Sequence, residues 1–133
     1  MIYLLDTDTC SYIIKSPELV RKRFEQIHAG DLAISAITWA ELNSWIMMSS
    51  KSEQRLLSLQ KMFAPVNILP FTSTDATYHG AIRKHLKDQG QMIGALDMLI
   101  AAHALSRGLI VVTNNVDHFG RVPQLKIENW FKA

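Results

Sequence analysis

Apolar and polar positions in this chain come in blocks. Ile2-Tyr3-Leu4-Leu5 is a brief apolar run that stops at Asp6-Thr7-Asp8-Thr9, a stretch of turn-forming and capping residues. A continuous run of this kind suits a strand buried on both faces, as in a parallel sheet. Similar runs at 32–36, 66–69 and 109–112 predict three more strands, and Leu125-Lys126-Ile127 predicts a short final one. Between them the spacing becomes helical. Residues 10–15 read as a short helix, and Pro17 opens another over 18–28, with Leu19, Phe24 and Ile27 on one side and Arg21, Lys22 and Arg23 on the other, a basic face expected to be solvated in preference to touching a phosphate backbone. Ala29-Gly30 supplies its glycine stop. Further helices are expected from Ile37 to about Ser49, over 52–63, from a cap at Ser73 or Thr74 to Gly90, and from Gly94 to Arg107-Gly108. Residues 113–119 form the loop at the carboxyl end of the fourth strand.

Strands alternating with helices imply an α/β fold with a mostly parallel sheet flanked by helices. The helix after the second strand carries Trp45, Ile46, Met47 and Met48 and is apolar on most sides, so it is either deeply buried or part of an interface. Met62 and Phe63 are neighbouring candidates for such contacts. The helix over 95–105 is apolar almost all round and is expected to be buried, with His103 a hydrogen-bonded core residue.

Length and composition narrow the class. The 133 residues suit a single domain spanning 1–133, and 48% hydrophobic content suits a folded core. Cys10 is the only cysteine, which excludes an internal disulfide and a cysteine-based zinc site and fits a reducing, cytoplasmic setting. No secretory signal or membrane span is expected, because Asp6 interrupts the first apolar run and the longest other one falls short of the ~20 residues a bilayer requires. A net charge of +2 permits a nucleic-acid partner without demanding one.

Four acids then stand out. Asp6 and Asp117 follow strands, while Glu41 and Asp97 lie in the first turns of helices. A parallel sheet brings strand carboxyl ends and helix starts to one edge, where the ligand chemistry of open α/β sheets sits. Each acid also has a purely structural reading. Asp6 or Asp8 caps the next helix, Thr38 and Glu41 match a capping box, and Asp97 complements the positive end of its helix. Gathered together, carboxylates raise one another's pKa values unless a cation lies among them, and an all-oxygen set favours Mg²⁺ or Mn²⁺ over zinc.

The runs Leu4-Leu5-Asp6-Thr7-Asp8, Ser35-Ala36-Ile37-Thr38-Trp39-Ala40-Glu41-Leu42 and Gly94-Ala95-Leu96-Asp97-Met98-Leu99-Ile100-Ala101-Ala102-His103-Ala104 resemble the PIN-domain ribonucleases. More narrowly, they resemble the VapC-type toxins of bacterial toxin–antitoxin pairs, and the likeness extends to the closing Arg121-Val122-Pro123 and Glu128-Asn129-Trp130. The resemblance implies a three-layer α/β/α domain and a Mg²⁺-dependent endoribonuclease that cuts structured RNA, transfer RNA by preference, and so stops translation. It implies a cognate antitoxin, a homodimer and toxin–antitoxin hetero-oligomers. Asp6, Glu41 and Asp97 match the family's three principal acids. The family's fourth acidic slot, just before Phe119, holds His118 here, so Asp117 is the expected fourth metal ligand, with Asn115 acting through a water as the next choice. Thr7 and Thr113 are expected in support.

Two other readings compete. A phosphatase of the haloacid dehalogenase type fits Asp6-Thr7-Asp8 but not Cys10, and would make Asp8 essential. A PIN-like module with a degenerate site, binding RNA or a partner without turnover, is favoured by His118 alone.

Overall fold

The computed structural model describes residues 1–15 and 18–131, with the backbone alone at Leu19. Five strands, β1 (Tyr3–Leu5), β2 (Leu32–Ser35), β3 (Asn67–Leu69), β4 (Ile110–Val112) and β5 (Ile127–Glu128), form one sheet in the order β3-β2-β1-β4-β5. Every pairing is parallel, and β1 is central, with Tyr3 opposite Leu32 on one side and Ile110 on the other. The helices are α1 (Thr7–Lys15), α2 (Glu18–Gln26), α3 (Ala36–Met47), α4 (Ser52–Phe63), α5 (Ser73–Asp88), α6 (Ala95–Arg107) and the short α7 (Val116–Phe119).

The pleat divides the core in two. Successive strand residues point to opposite faces, so Leu4, Ala33 and Val111 pack with Ile82, Leu86, Met98 and Ile100 of α5 and α6. Leu5, Leu32, Ile34 and Val112 pack instead with Ile13, Phe24, Leu42, Ile46, Leu59 and Phe63 of α1 to α4. The result is the expected three-layer α/β/α arrangement, and α6 is buried as its composition predicts. The expected start of the second helix at Pro17 and the inward side of Leu19 lie outside the described residues.

Several local expectations are corrected. α1 begins at Thr7 rather than at residue 10, because Asp6 accepts the Thr9 N–H at 2.8 Å and starts the helix. Arg21 does not belong to a solvated face, since its guanidinium reaches the Ile13 carbonyl at 2.7 Å and closes the carboxyl end of α1. Gly30 sits in a helical turn (Ala29–Asp31) without the left-handed backbone of a glycine stop, which Gly90 and Gly108 do adopt at φ 64° and 67°. The cap of α5 is Thr72, which forms a reciprocal capping box with Asp75. α7 occupies part of the predicted loop 113–119. Phe63 is a core residue and cannot serve as a surface contact, while Met62 packs under Arg21. On the Trp45–Met48 stretch, Ile46 is fully buried, whereas Met47 and Met48 are 72% and 79% exposed.

A buried polar chain crosses the layer beside β2. Asp75 is fully buried and bonded to Thr72, Ser106 and Arg107. His103, also buried, places Nε2 3.6 Å from Asp75 and Nδ1 2.9 Å from Ser35 Oγ, which caps α3. Burial alone would raise the Asp75 pKa. The hydrogen bonds from Arg107, Ser106 and Thr72 outweigh it and hold the carboxyl well below its usual range. A folded pKa below the unfolded one means that acidification protonates the unfolded chain first, so this stabilisation is lost as pH falls below about 4. Arg107→Ala is expected to lower unfolding stability at pH 7 by about 2 kcal/mol. The deficit should shrink as urea melts are repeated toward pH 3.

Candidate active site

Asp6 stands at the carboxyl end of the central strand, held by its own N–H to the Val112 carbonyl at 3.0 Å. Its side chain is 2% exposed. Burial raises its pKa, bonds from Thr113 and Thr9 pull it down without cancelling that effect, and Asp8 pushes it up again, leaving it at about 6. The capping reading of Asp6 holds, since its carboxylate starts α1, and the same carboxylate stands at the carboxyl edge of the sheet.

Glu41 lies on α3 and reaches the same edge by another route. The expected Thr38–Glu41 capping box is absent, since Ser35 Oγ takes the helix-start N–H of Ile37 at 3.0 Å. Glu41 instead accepts the Thr7 hydroxyl proton at 2.6 Å, and the buried Thr38 hydroxyl is 3.2 Å from the same Thr7 oxygen. Thr7, the residue after Asp6, ties the first turn of α1 to α3 and fixes one oxygen of Glu41. Asp97, in the first turn of α6, is pushed to a higher pKa by burial, then by Asp8 and Glu41, with His118 opposing. No side chain caps α6 at Gly94.

Three of the predicted acids thus share one edge. Asp117 is placed differently: its carboxylate is 81% exposed and pairs with Arg121 at 3.0 Å. Asn115 lies 2.9 Å from His118 Nδ1, and Thr113 is fully buried beneath Asp6. Asp8, which the sequence offers as a helix cap, also bears on this edge. Its charge bears on both Asp6 and Asp97, and a helix starting at Thr7 would have revealed it as a first-turn residue on this edge. His118 was read as a missing acid, yet it supplies the one cationic influence on Asp97.

Among the described residues, no three His, Cys, Asp or Glu side chains converge closely enough to make a ready metal cage. The donor set nevertheless fits a hard divalent cation. Burial first, and then the charges of Asp8 and Glu41, disfavour a negative charge on Asp97, as expected where a positive charge belongs beside it.

Residues 3–125 match the PIN domain family, and the chain belongs to it. Within that family it falls among the VapC ribonucleases. It is 38% identical to ribonuclease VapC2 of Rickettsia felis, over 99% of this chain and 100% of that one. It is 39% identical to the tRNA(fMet)-specific endonuclease VapC of Shigella flexneri, over 96% of this chain and 97% of that one. In structure it superposes on a chain of the DNA-bound VapBC complex of Salmonella typhimurium with a TM-score of 0.91 and 37% identity, covering 98% of each. The α/β fold drawn from the resemblance is thereby confirmed. Among the described residues, no helix is long and apolar enough to cross a membrane.

The raised pKa of Asp6 has a sign that can be checked. A folded pKa above the unfolded one favours the folded state at low pH, and that advantage is lost as pH rises through about 6. Asp6→Asn keeps a side-chain oxygen for the Thr9 N–H and removes the buried charge. In EDTA at pH 7.5 this variant should unfold at higher temperature than the parent, by an amount corresponding to at most about 3 kcal/mol. The difference should vanish near pH 4 in the same calorimetric scans.

Proposed function

We propose that this chain is the toxin of a toxin–antitoxin pair, a Mg²⁺-dependent endoribonuclease that cuts structured RNA and thereby inhibits translation. The observation that carries the reading is the pair of acids, Asp6 and Asp97, whose pKa values are raised by burial and by neighbouring carboxylates at the carboxyl edge of the sheet, in a chain whose relatives are named ribonucleases. Initiator transfer RNA is the proposed substrate, following the specificity in the name of the Shigella relative. An antitoxin is the proposed partner, since similar chains are found in VapBC complexes. Homodimerisation through the exposed Met47 and Met48 is proposed alongside it, and the cytoplasm is the proposed location.

Asp6 and Asp97 would hold the ion, with Glu41 and Asp117 contributing directly or through waters; Mn²⁺ suits the same oxygens. Bound there, Mg²⁺ supplies activation of a water for in-line attack on phosphorus and offsets charge on the phosphoryl oxygens. The protein's part is to hold these groups in place. Asp6 is fixed by the Thr9 amide and by Thr113, so its position does not depend on the ion. Thr7 occupies one oxygen of Glu41 and leaves the other free of side-chain hydrogen bonds among the described residues. Asp117 must leave Arg121 to take part, which makes it the most conditional member. His118, whose ring bears on Asp97, would serve to meet a phosphate oxygen or to lend a proton to the leaving oxygen. The inert-module reading has only the His118 substitution in its favour, and His118 has a chemical use here.

Purified protein with an initiator tRNA transcript and Mg²⁺ should give discrete fragments on a denaturing gel. EDTA should abolish them, and Asp97→Asn should slow cleavage at least about 100-fold, whereas Asp117→Asn should slow it less than about tenfold. Intact RNA in the presence of folded protein and Mg²⁺ would refute the proposal. Thr7→Val, which frees Glu41, should lower kcat about tenfold, with Thr7→Ser restoring it.

A further inference from the structure

A depression leaves the acid edge between α1 and α3. It measures about 230 Å³ and is bounded by Thr7, Asp8, Lys15 and Trp45. Lys15 also borders a second hollow of about 140 Å³, lined by Lys15, Lys51 and Arg55 together with Gln54 and Ser58. The three cations come from three places in the chain: the last turn of α1, the residue before α4, and the first turns of α4. The Trp45 ring gathers two of them, with Lys15 Nζ and Arg55 Cζ each 4.9 Å from its centroid.

Like charges do not gather without reason. Cation–π attraction explains how Lys15 and Arg55 are kept in place but leaves their charge unneutralised. Among the described residues, the ion pairs with carboxylates are made by Arg23, Lys84, His103, Arg107 and Arg121, and not by these three cations. The hollow is polar, connected to the acids through Asp8, and small enough for a chain of phosphates but not for a folded partner.

We infer that Lys15, Lys51 and Arg55, organised by Trp45, form a phosphate-binding track for the RNA strand next to the bond being cut. The acid edge repels a polyanion even when it holds one divalent ion, so the neighbouring phosphates need positive charge close by. Trp45 fixes the two long side chains in advance, which reduces the entropy lost when the strand settles. This rests on the ribonuclease reading, and it adds where the substrate lies and which residues set its affinity.

The test separates binding from cutting. A fluorescein-labelled initiator tRNA transcript is titrated in EDTA, where it stays whole, with the full chain and with Lys15→Gln/Lys51→Gln/Arg55→Gln. The triple variant should bind at least tenfold more weakly, and its log affinity should fall with log salt less steeply by about 2, the loss of three phosphate contacts. In Mg²⁺ its KM should rise with kcat little changed. Trp45→Ala should reproduce part of the loss, and the single exposed Lys51→Glu guards against a triple variant that fails to fold. A control triple on α5, Arg83→Gln/Lys84→Gln/Lys87→Gln, should stay within about twofold of the parent. Parental affinity and salt slope in the track variant would overturn the inference. So would an equal loss in the α5 control, or a loss of antitoxin affinity with RNA binding intact. If the parent cuts RNA while the track variant binds normally, only this inference fails; if the parent binds through the track without cutting, only the ribonuclease reading fails.

Discussion

A carboxylate buried at the end of the central strand, with further acids from neighbouring helix starts bearing on the same edge, is the constraint around which this molecule is arranged. Asp6 is almost wholly buried with the charge of Asp8 bearing on it, and Asp97 is raised in pKa by burial and then by Asp8 and Glu41. Such an arrangement persists only if the surrounding structure holds it in place. Here that support is local and inexpensive: a helix-start amide and a threonine hydroxyl hold Asp6, and a second threonine holds Glu41. The same carboxylate begins α1 and faces the site, so the element that costs stability also sets the direction of the first helix.

The scaffold beneath the site is tied together on its far side. Ser35 caps α3, which bears Glu41, while His103 belongs to α6, which bears Asp97. The 2.9 Å contact between Ser35 and His103 therefore joins the two acid-bearing helices through buried polar atoms, and Asp75 with Arg107 extends that link to α5. Hydrogen bonds of this kind have directional requirements that apolar packing lacks, which is how a small domain keeps two helix starts in register.

Much of this was legible in the chain. The apolar runs located the strands, and the block pattern gave the parallel sheet with its acids on one edge. Local pattern failed where a tertiary partner decided the outcome. Thr38 and Glu41 have capping-box spacing, but Ser35 lies one strand-end earlier and takes the role, leaving Glu41 for Thr7, 34 residues away in the chain. Arg21 looked like a surface cation until the carbonyls of Ile13 and Ile14 became its partners. Asp8 and His118 carry influence only through proximity in space, which no spacing rule expresses.

The brevity of β1 has one more consequence. Its three residues serve opposite cores in alternation, Leu4 on one side and Leu5 on the other, and the acid comes immediately after. A side chain's face in a strand depends on whether its position is odd or even. Inserting or deleting a single residue ahead of Asp6 would exchange the two packing surfaces and turn the carboxylate away from its companions. The spacing between the apolar residues of β1 and Asp6 is thus as much a determinant of the chemistry as their identity.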